Sequence, residues 1–302
     1  MTWYDDFDAA VRERFPDMEV LSGEPMARHT TFRIGGPARR LARPRSPEEL
    51  AALLTAAEER GWPALVVGNG SNLLAPDDGL DRLVVHTGRL EDIAPDGPLG
   101  LHAQAGASLA RLASFAQRRS LTGLEFAHGI PGSLGGGVRM NAGAYGGELC
   151  QVVAAVQAWL PGQGVRRLEA GELDFRYRHS VFMDNGGVVL SAWLALAPGD
   201  GAAIRERMEE LGRRRREKQP LELPSGGSTF KRPAEGYAAA LIEQCGLKGL
   251  SVGGAQVSAK HAGFVVNTGG ATCADVRELV GLVQRRVLEE TGVRLETEIE
   301  IV

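Results

Sequence analysis

The sequence predicts a mixed α/β fold made of more than one compact unit, and three observations carry that prediction. Short apolar runs of strand length alternate with longer stretches whose apolar residues recur at helical spacing. A segment crowded with glycine, residues 129–147, interrupts this alternation near the middle of the chain. The C-terminal third returns to two helical stretches and ends on an alternating apolar and polar run. At 302 residues the chain can build two or three cores, at the usual ~100–200 residues each.

The elements follow in order. Trp3, Phe7, Val11 and Phe15 recur every fourth residue and predict an amphipathic helix stopped by Pro16. Ser46-Pro47-Glu48-Glu49 opens a second helix by an N-cap, a first-turn proline and acids at the positive dipole end, and Gly61 closes it. Ala64-Leu-Val-Val67 is a short buried strand that runs into the turn Gly68-Asn-Gly-Ser-Asn-Leu-Leu74. Leu83-Val-Val85 and residues 99–105 read as strands, and residues 108–119 as a helix. Residues 152–160 and 188–197 read as strands, the first leading into a Pro161-Gly162-Gln-Gly164 turn. Residues 202–218 form a charged helix, and residues 221–228 a loop before the last unit. That unit holds a helix near residues 236–245, a second over 274–291 capped by Thr272 and Asp275 and ended by Gly292, and a strand over 293–302.

Composition removes several classes of function. A net charge of −4 gives no global basic field for nucleic acid. No stretch approaches the ~20 apolar residues that span a bilayer, and the acidic start has no signal core, so a cytoplasmic protein is expected. The three cysteines, Cys150, Cys245 and Cys273, are far apart and form no CxxC pair, which argues for buried thiols rather than a disulfide frame or a zinc site; no metal is expected.

Two glycine-bearing segments carry chemistry. In Gly68-Asn-Gly-Ser-Asn, glycines permit positive φ directly after a strand, so that successive N–H groups can face one anion. The segment is neither a GxGxxG fingerprint nor a P-loop, which disfavours a Rossmann domain. Residues 129–147 hold eight glycines, each costing up to ~1 kcal/mol in a helix or strand interior. Close approach of main chain to a large flat cofactor with phosphates explains that choice better than a loose surface loop, since Ile130, Leu134, Val138 and Met140 are embedded in it.

The string Gly123-Leu-Glu-Phe-Ala-His-Gly-Ile-Pro-Gly-Ser-Leu-Gly-Gly-Gly-Val-Arg-Met-Asn-Ala-Gly-Ala-Tyr-Gly-Gly-Glu148 resembles the flavin-binding signature of the UDP-N-acetylenolpyruvoylglucosamine reductases, flavin-dependent enzymes of bacterial cell-wall synthesis. Thr31-Phe-Arg-Ile-Gly-Gly36, Phe175-Arg-Tyr-Arg-His-Ser-Val-Phe182, Pro224-Ser-Gly-Gly-Ser-Thr-Phe-Lys231, Gly253-Gly-Ala-Gln-Val-Ser-Ala-Lys-His261 and Leu295-Glu-Thr-Glu298 extend the resemblance in family order from about residue 30 to the C-terminus. It implies an α/β (α+β) architecture: a two-part FAD-binding region of the PCMH/vanillyl-alcohol-oxidase type over 1–84 and 85–202, and a C-terminal α+β substrate domain over 203–302.

By the same resemblance the cofactor is FAD and the co-substrate NADPH, and the other partner is the small molecule UDP-N-acetylglucosamine enolpyruvate, reduced to UDP-N-acetylmuramate by a monomer. The cofactor-binding residues fall on Gly68, Asn69, Gly70, Ser71, Asn72 and Leu73, and on Gly129, Ile130, Pro131, Gly132, Ser133, Gly135, Gly136, Asn141, Ala142 and Gly143. The catalytic residues fall on Ser228 as proton donor, Arg178 and Glu298, and substrate binding on Tyr177, Lys218 and Lys231. Residues alone do not separate Ser228 from Ser225, and three glutamates on one face of the last strand would ordinarily mean solvent. His179 and His261 are read as structural. Arg232 stands where many members of the family carry asparagine, and no insertion between Arg178 and Ser228 supplies a tyrosine lid, as in the shorter subclass. Two rivals stay open: a flavin oxidase of the same architecture and a non-catalytic sugar-nucleotide or flavin binder.

Overall fold

The computed structural model describes residues 2–302. The chain divides into two compact units, and neither is one continuous stretch. The first comprises the chain up to Ser22, Arg39–Asn69 and Asp81–Arg214; the second comprises Gly23–Ala38, Gly70–Leu80 and Arg215–Val302. This differs from three consecutive domains, because residues 23–38 and 70–80 belong with the C-terminal part. The reason is burial: Phe32, Ile34 and Leu74 lie in one core with Phe230, Val276 and Ile299, and sequence order does not reveal so distant a partner.

The first unit opens with α1 (Trp3–Arg14), whose N-cap Thr2 and Asp5 form a reciprocal capping box. Phe7 is fully buried and meets Trp62 edge-on at 5.3 Å, a burial that contributes ~2–3 kcal/mol. The helix stops at Phe15, as the following proline requires. In α2 (Pro47–Arg60), Ser46 accepts the N–H of Glu49 and Gly61 ends the helix at φ +68°. Both helices pack on a four-stranded sheet ordered Glu19–Pro25, Pro37–Arg43, Leu80–His86 and Ala64–Val67, the last two pairing in parallel.

A second core lies under a five-stranded sheet ordered Gly164–Glu169, Val153–Leu160, Val188–Ala195, Gly100–Gln104 and Ile93–Asp96, with antiparallel pairing throughout. Against it lie α3 (Leu109–Arg118), capped by Ser108, and the short α4 (Leu134–Arg139). The glycine run therefore contains a helix that its composition hid. Its length of six residues is too short for a 3.6-residue period to show. The brief α5 (Val181–Asn185) follows, and α6 (Gly201–Lys218) buries Ile204, Met208 and Leu211.

The second unit packs α7 (Ala238–Gln244) and α8 (Cys273–Thr291) with a three-stranded sheet of Ser251–Val252, Ala255–Val257 and Val265–Asn267. Thr272 and Asp275 form the capping box expected for α8, and Asp77 accepts the N–H groups of Cys273 and Ala274 at 2.7 and 3.0 Å. The C-terminal run departs from the single strand expected. Only Glu300–Ile301 pairs as a strand, in parallel with Leu73–Leu74, while Phe230 and Thr297 form a separate antiparallel bridge. The segment is divided between two partners. Leu295 and Ile299 are buried as the alternation requires, but Ile301 is 42% exposed. The cysteines also differ from expectation: Cys273 is buried, whereas Cys150 is exposed. Among the described residues no helix is long and apolar enough to cross a membrane.

Candidate functional site

In the first unit the Ala64–Val67 strand ends at Gly68, where a Cβ would lie 2.1 Å from the hydroxyl oxygen of Ser133. Asn69 Nδ2 donates to the carbonyl of Pro131 at 3.1 Å. Two of the stretches expected to hold the cofactor are thus in contact. Ser133 is 2% exposed and stands before α4, whose Leu134 and Gly135 N–H groups donate to the carbonyls of Ala107 and Ala105. The remaining residues of the turn lie in the second unit. There Gly70, at φ +57°, sits so close to His29 that a Cβ would come within 2.0 Å of its carbonyl oxygen. Asn72 Nδ2 donates to the Glu298 carbonyl at 2.9 Å, and Leu73 is 8% exposed; both serve the framework of that unit.

The glycines of the 129–147 run divide by what surrounds them. Added Cβ atoms would meet Leu149 at 2.9 Å from Gly137, Glu148 at 2.7 Å from Gly143 and the Phe126 ring at 2.4 Å from Gly147. Those three are demanded by the protein's own packing rather than by a ligand. Gly129, Pro131 and Gly136 are exposed, and the nearest atom to a Cβ on Gly136 is Ser133 Oγ at 3.7 Å. No Asp or Glu occurs in 68–73 or 129–143, so these stretches offer peptide dipoles and neutral polar groups with no opposing charge. Such surfaces fit a dinucleotide with phosphates.

Arg178 occupies a tight turn. Arg176 and His179 exchange both main-chain hydrogen bonds, at 3.1 and 3.2 Å, around Tyr177 and Arg178. Arg178 has φ +53°, a left-handed conformation that disfavours a side chain other than glycine. Its Nη2 donates to the Gly143 carbonyl at 3.1 Å, and its guanidinium lies 5.0 Å from the Tyr177 ring. Tyr177 itself is 47% exposed. Asp174, His179 and Asp184 approach within 4.8 Å of one another, but Arg176 pairs with Asp174 at 2.7 Å and Asp184 at 3.8 Å, so the trio is an ion-pair network around a cation.

The other two catalytic candidates meet in the second unit. Thr229 N–H donates to Gly263 O at 2.8 Å, and Glu298 N–H donates to Thr229 O at 2.8 Å. Main-chain bonds therefore set Ser228 and Glu298 on adjoining segments. Ser228 is exposed and Glu298 half-buried. Ser225 differs from Ser228: its carbonyl accepts the Thr31 hydroxyl at 2.6 Å and its hydroxyl oxygen the Gly227 N–H at 3.5 Å. Lys231 pairs with Glu296 at 3.4 Å, and Lys218 is exposed at the end of α6. Burial pushes the His261 imidazole below its ordinary value, helped by the charges of Lys248 and Lys218, and its Nδ1 accepts the Gly263 N–H at 3.1 Å.

Sequence reasoning missed the parts of the Arg178 turn that fix it. Ser180 is fully buried, with its hydroxyl donating to the Arg139 carbonyl at 2.7 Å. Asn141, expected to contact the cofactor, is 1% exposed, with its amide committed to Glu148, Arg176 and Cys150. Serine and asparagine each followed a known motif string, but nothing in the string says which way they face.

Comparison with known proteins adds to this geometry. Residues 38–168 match the model of an FAD binding domain, and residues 219–302 that of the UDP-N-acetylenolpyruvoylglucosamine reductase C-terminal domain. The chain is 48% identical over 294 residues to UDP-N-acetylenolpyruvoylglucosamine reductase of Levilactobacillus brevis, covering 97% of this chain and 96% of that one. It is 46% identical to the reductase of Caldanaerobacter subterraneus subsp. tengcongensis, at 97% and 96% coverage. The crystal structure of UDP-N-acetylenolpyruvylglucosamine reductase from Thermus caldophilus superposes with a TM-score of 0.81 and 37% identity, covering 94% of this chain and 99% of that one.

Proposed function

The chain belongs to the UDP-N-acetylenolpyruvoylglucosamine reductase family, and on that premise we propose that it reduces UDP-N-acetylglucosamine enolpyruvate to UDP-N-acetylmuramate, with NADPH as the source of hydride. FAD would be held by Gly68, Asn69 and the exposed main chain at Gly129, Pro131 and Gly136, and when bound would supply the hydride-transfer chemistry. Addition of hydride to the enolpyruvyl methylene carbon moves the double-bond pair to the adjoining carbon, which then needs charge stabilisation and a proton. Arg178 holds the substrate carboxylate with its planar, always-charged fork and offsets the developing charge. Ser228 gives its hydroxyl proton to the carbanion-like carbon and recovers one from solvent. Glu298 orients that hydroxyl from the adjoining segment. Tyr177, Lys218 and Lys231 bind the nucleotide portion, Lys231 by leaving a weak exposed pair with Glu296. We place the reaction in the cytoplasm and assign it to a monomer.

The observation that carries this reading is the main-chain stitch at Thr229, which holds an exposed serine hydroxyl beside the segment bearing Glu298. The test is anaerobic. NADPH should bleach the yellow protein, the enolpyruvyl substrate should restore its colour, and in deuterated water one solvent deuterium should enter the carbon bearing the carboxylate. In a parallel run in air, steady oxygen-dependent NADPH consumption without that substrate would replace the reading with an oxidase.

A further inference from the structure

We propose that Asn141 is a positioning residue for Arg178, acting through the turn that carries it; the inference rests on the role given to Arg178 above. Asn141 stands just past the end of α4 with φ +44°. Its N–H donates to Val138 O at 3.1 Å, and the N–H of Ala142 donates to Gly137 O at 2.8 Å. This is the Schellman pattern, in which the left-handed residue is usually glycine. The backbone alone would accept glycine there, so the side chain explains the asparagine.

That side chain is 1% exposed and fully engaged. Oδ1 accepts the N–H of Cys150 at 2.9 Å, while Nδ2 donates to Glu148 Oε2 at 3.0 Å and to the Arg176 carbonyl at 3.1 Å. A primary amide has two N–H groups and one strong acceptor, and each has a partner. None is left to face a cofactor. The bond to Arg176 is the informative one, because Arg176 and His179 close the turn that forces Arg178 into its left-handed conformation. The Ser180 hydroxyl straps the far side of the same turn to Arg139, again at the end of α4. The guanidinium then donates to Gly143, two residues beyond Asn141. A strained turn persists only where its surroundings over-determine it, and Asn141 is the contact joining the helix end, the Glu148 carboxylate and the turn.

The test uses the flavin-loaded enzyme and measures its half-reactions separately. Asn141→Gly keeps the left-handed cap and removes the three amide bonds. Flavin reduction by NADPH should proceed at the parent rate, whereas reoxidation by the enolpyruvyl substrate should slow by about ten- to a hundredfold, the scale of a misplacement near 1 Å. In an Arg178→Ala background the same change should have no further effect on reoxidation, since there is no guanidinium left to place. Asn141→Asp, which keeps the acceptor for Cys150 but loses both donors, should show the same split and covers the case in which the glycine variant does not fold. Slowing of both half-reactions alike, or effects of Asn141→Gly and Arg178→Ala that multiply, would reduce Asn141 to a fold residue. Normal reoxidation by Arg178→Ala alone would instead remove the role given to Arg178, and the proposal with it.

Discussion

In the first unit Arg178 reaches its place through a left-handed turn strapped at Arg176 and at Ser180, whereas in the second unit Ser228 stands exposed on a segment fixed by main-chain bonds at Thr229. The contrast follows from what each group must do. A guanidinium that grips a carboxylate with two prongs must have its plane fixed, so several side chains are committed to one turn. A hydroxyl has one rotor and donates along whichever direction that rotor allows. Placing its Cα suffices. Damage to the first should therefore travel through geometry, and damage to the second through chemistry alone.

The largest expected effect tests the chemical side. Ser228→Ala should lower turnover of the enolpyruvyl substrate by ~10²–10⁴-fold, the usual worth of a positioned proton donor. Melting temperature and flavin reduction by NADPH should hold, since Ser228 is exposed. Turnover close to the parent value would end the donor assignment. Arg178→Lys probes the geometric side. It keeps the charge but removes the planar fork, at a loss of about 1.5–3 kcal/mol for charge-assisted bonds, or roughly ten- to a hundredfold in kcat/KM. If lysine served as well as arginine, orientation would not be what the turn protects.

These two regions were unequally legible in the sequence. Local signals read correctly where one residue decides the outcome: Ser46 and Thr272 as caps, Gly61 and Gly292 as helix ends. The ordered strings led to Arg178, Ser228 and Glu298, and the backbone of the second unit brings the latter two together. What stayed hidden was non-local. Phe32 and Leu74 join a core with residues some two hundred positions away, and the last strand splits between two partners because its neighbours at 73–74 and 230 compete for it. Asn141 falls among the cofactor-binding residues by resemblance to the family's string, which does not say which way a side chain faces; here it is buried, with its amide bonded to Glu148, Arg176 and Cys150. The glycines misled in a similar way: Gly137 and Gly147 answer to Leu149 and Phe126.

The packing of Ser228's own loop supplies a smaller test. A Cβ on Gly226 would lie 2.4 Å from Cε2 of Phe32 and 3.1 Å from Cγ2 of Ile299, and Phe32 is fully buried. Neither the ring nor the branched chain can retreat easily, so Gly226→Ala should cost about 1–3 kcal/mol through overpacking. Thermal melting should fall by a few degrees per kcal/mol, ~2–4 °C in a protein of this size. If only main-chain bonds place Ser228, the surviving folded fraction should still turn over. A folded, flavin-loaded Gly226→Ala variant with lost activity would show that the loop's packing places the hydroxyl as tightly as the Arg178 turn places its guanidinium.

The smallest effect concerns pH, and it separates the second unit's stability from its chemistry. Burial holds the His261 imidazole below the ordinary value of 6.5, with Lys248 and Lys218 adding to the effect. Protonating Nδ1 would also break the bond it accepts from Gly263. In the unfolded chain His261 takes up its proton near 6.5, while in the folded protein it resists. Between those two values the unfolded state binds more protons, so stability is complete above about 6.5 and declines as pH falls below it, until the folded pKa is passed. His261→Asn, which can keep an acceptor for Gly263 and does not titrate, should flatten the melting temperature against pH between 7.5 and 5.5. The difference should be on the order of 1 °C, because partial exposure lets water and salt screen the charge. His102 in the first unit is depressed by burial as well, so a residual slope should remain until His102→Asn is added. A slope untouched by His261→Asn would mean that the imidazole takes up its proton at the same pH in the folded and the unfolded chain, and that neither burial nor the charges of Lys218 and Lys248 act on it.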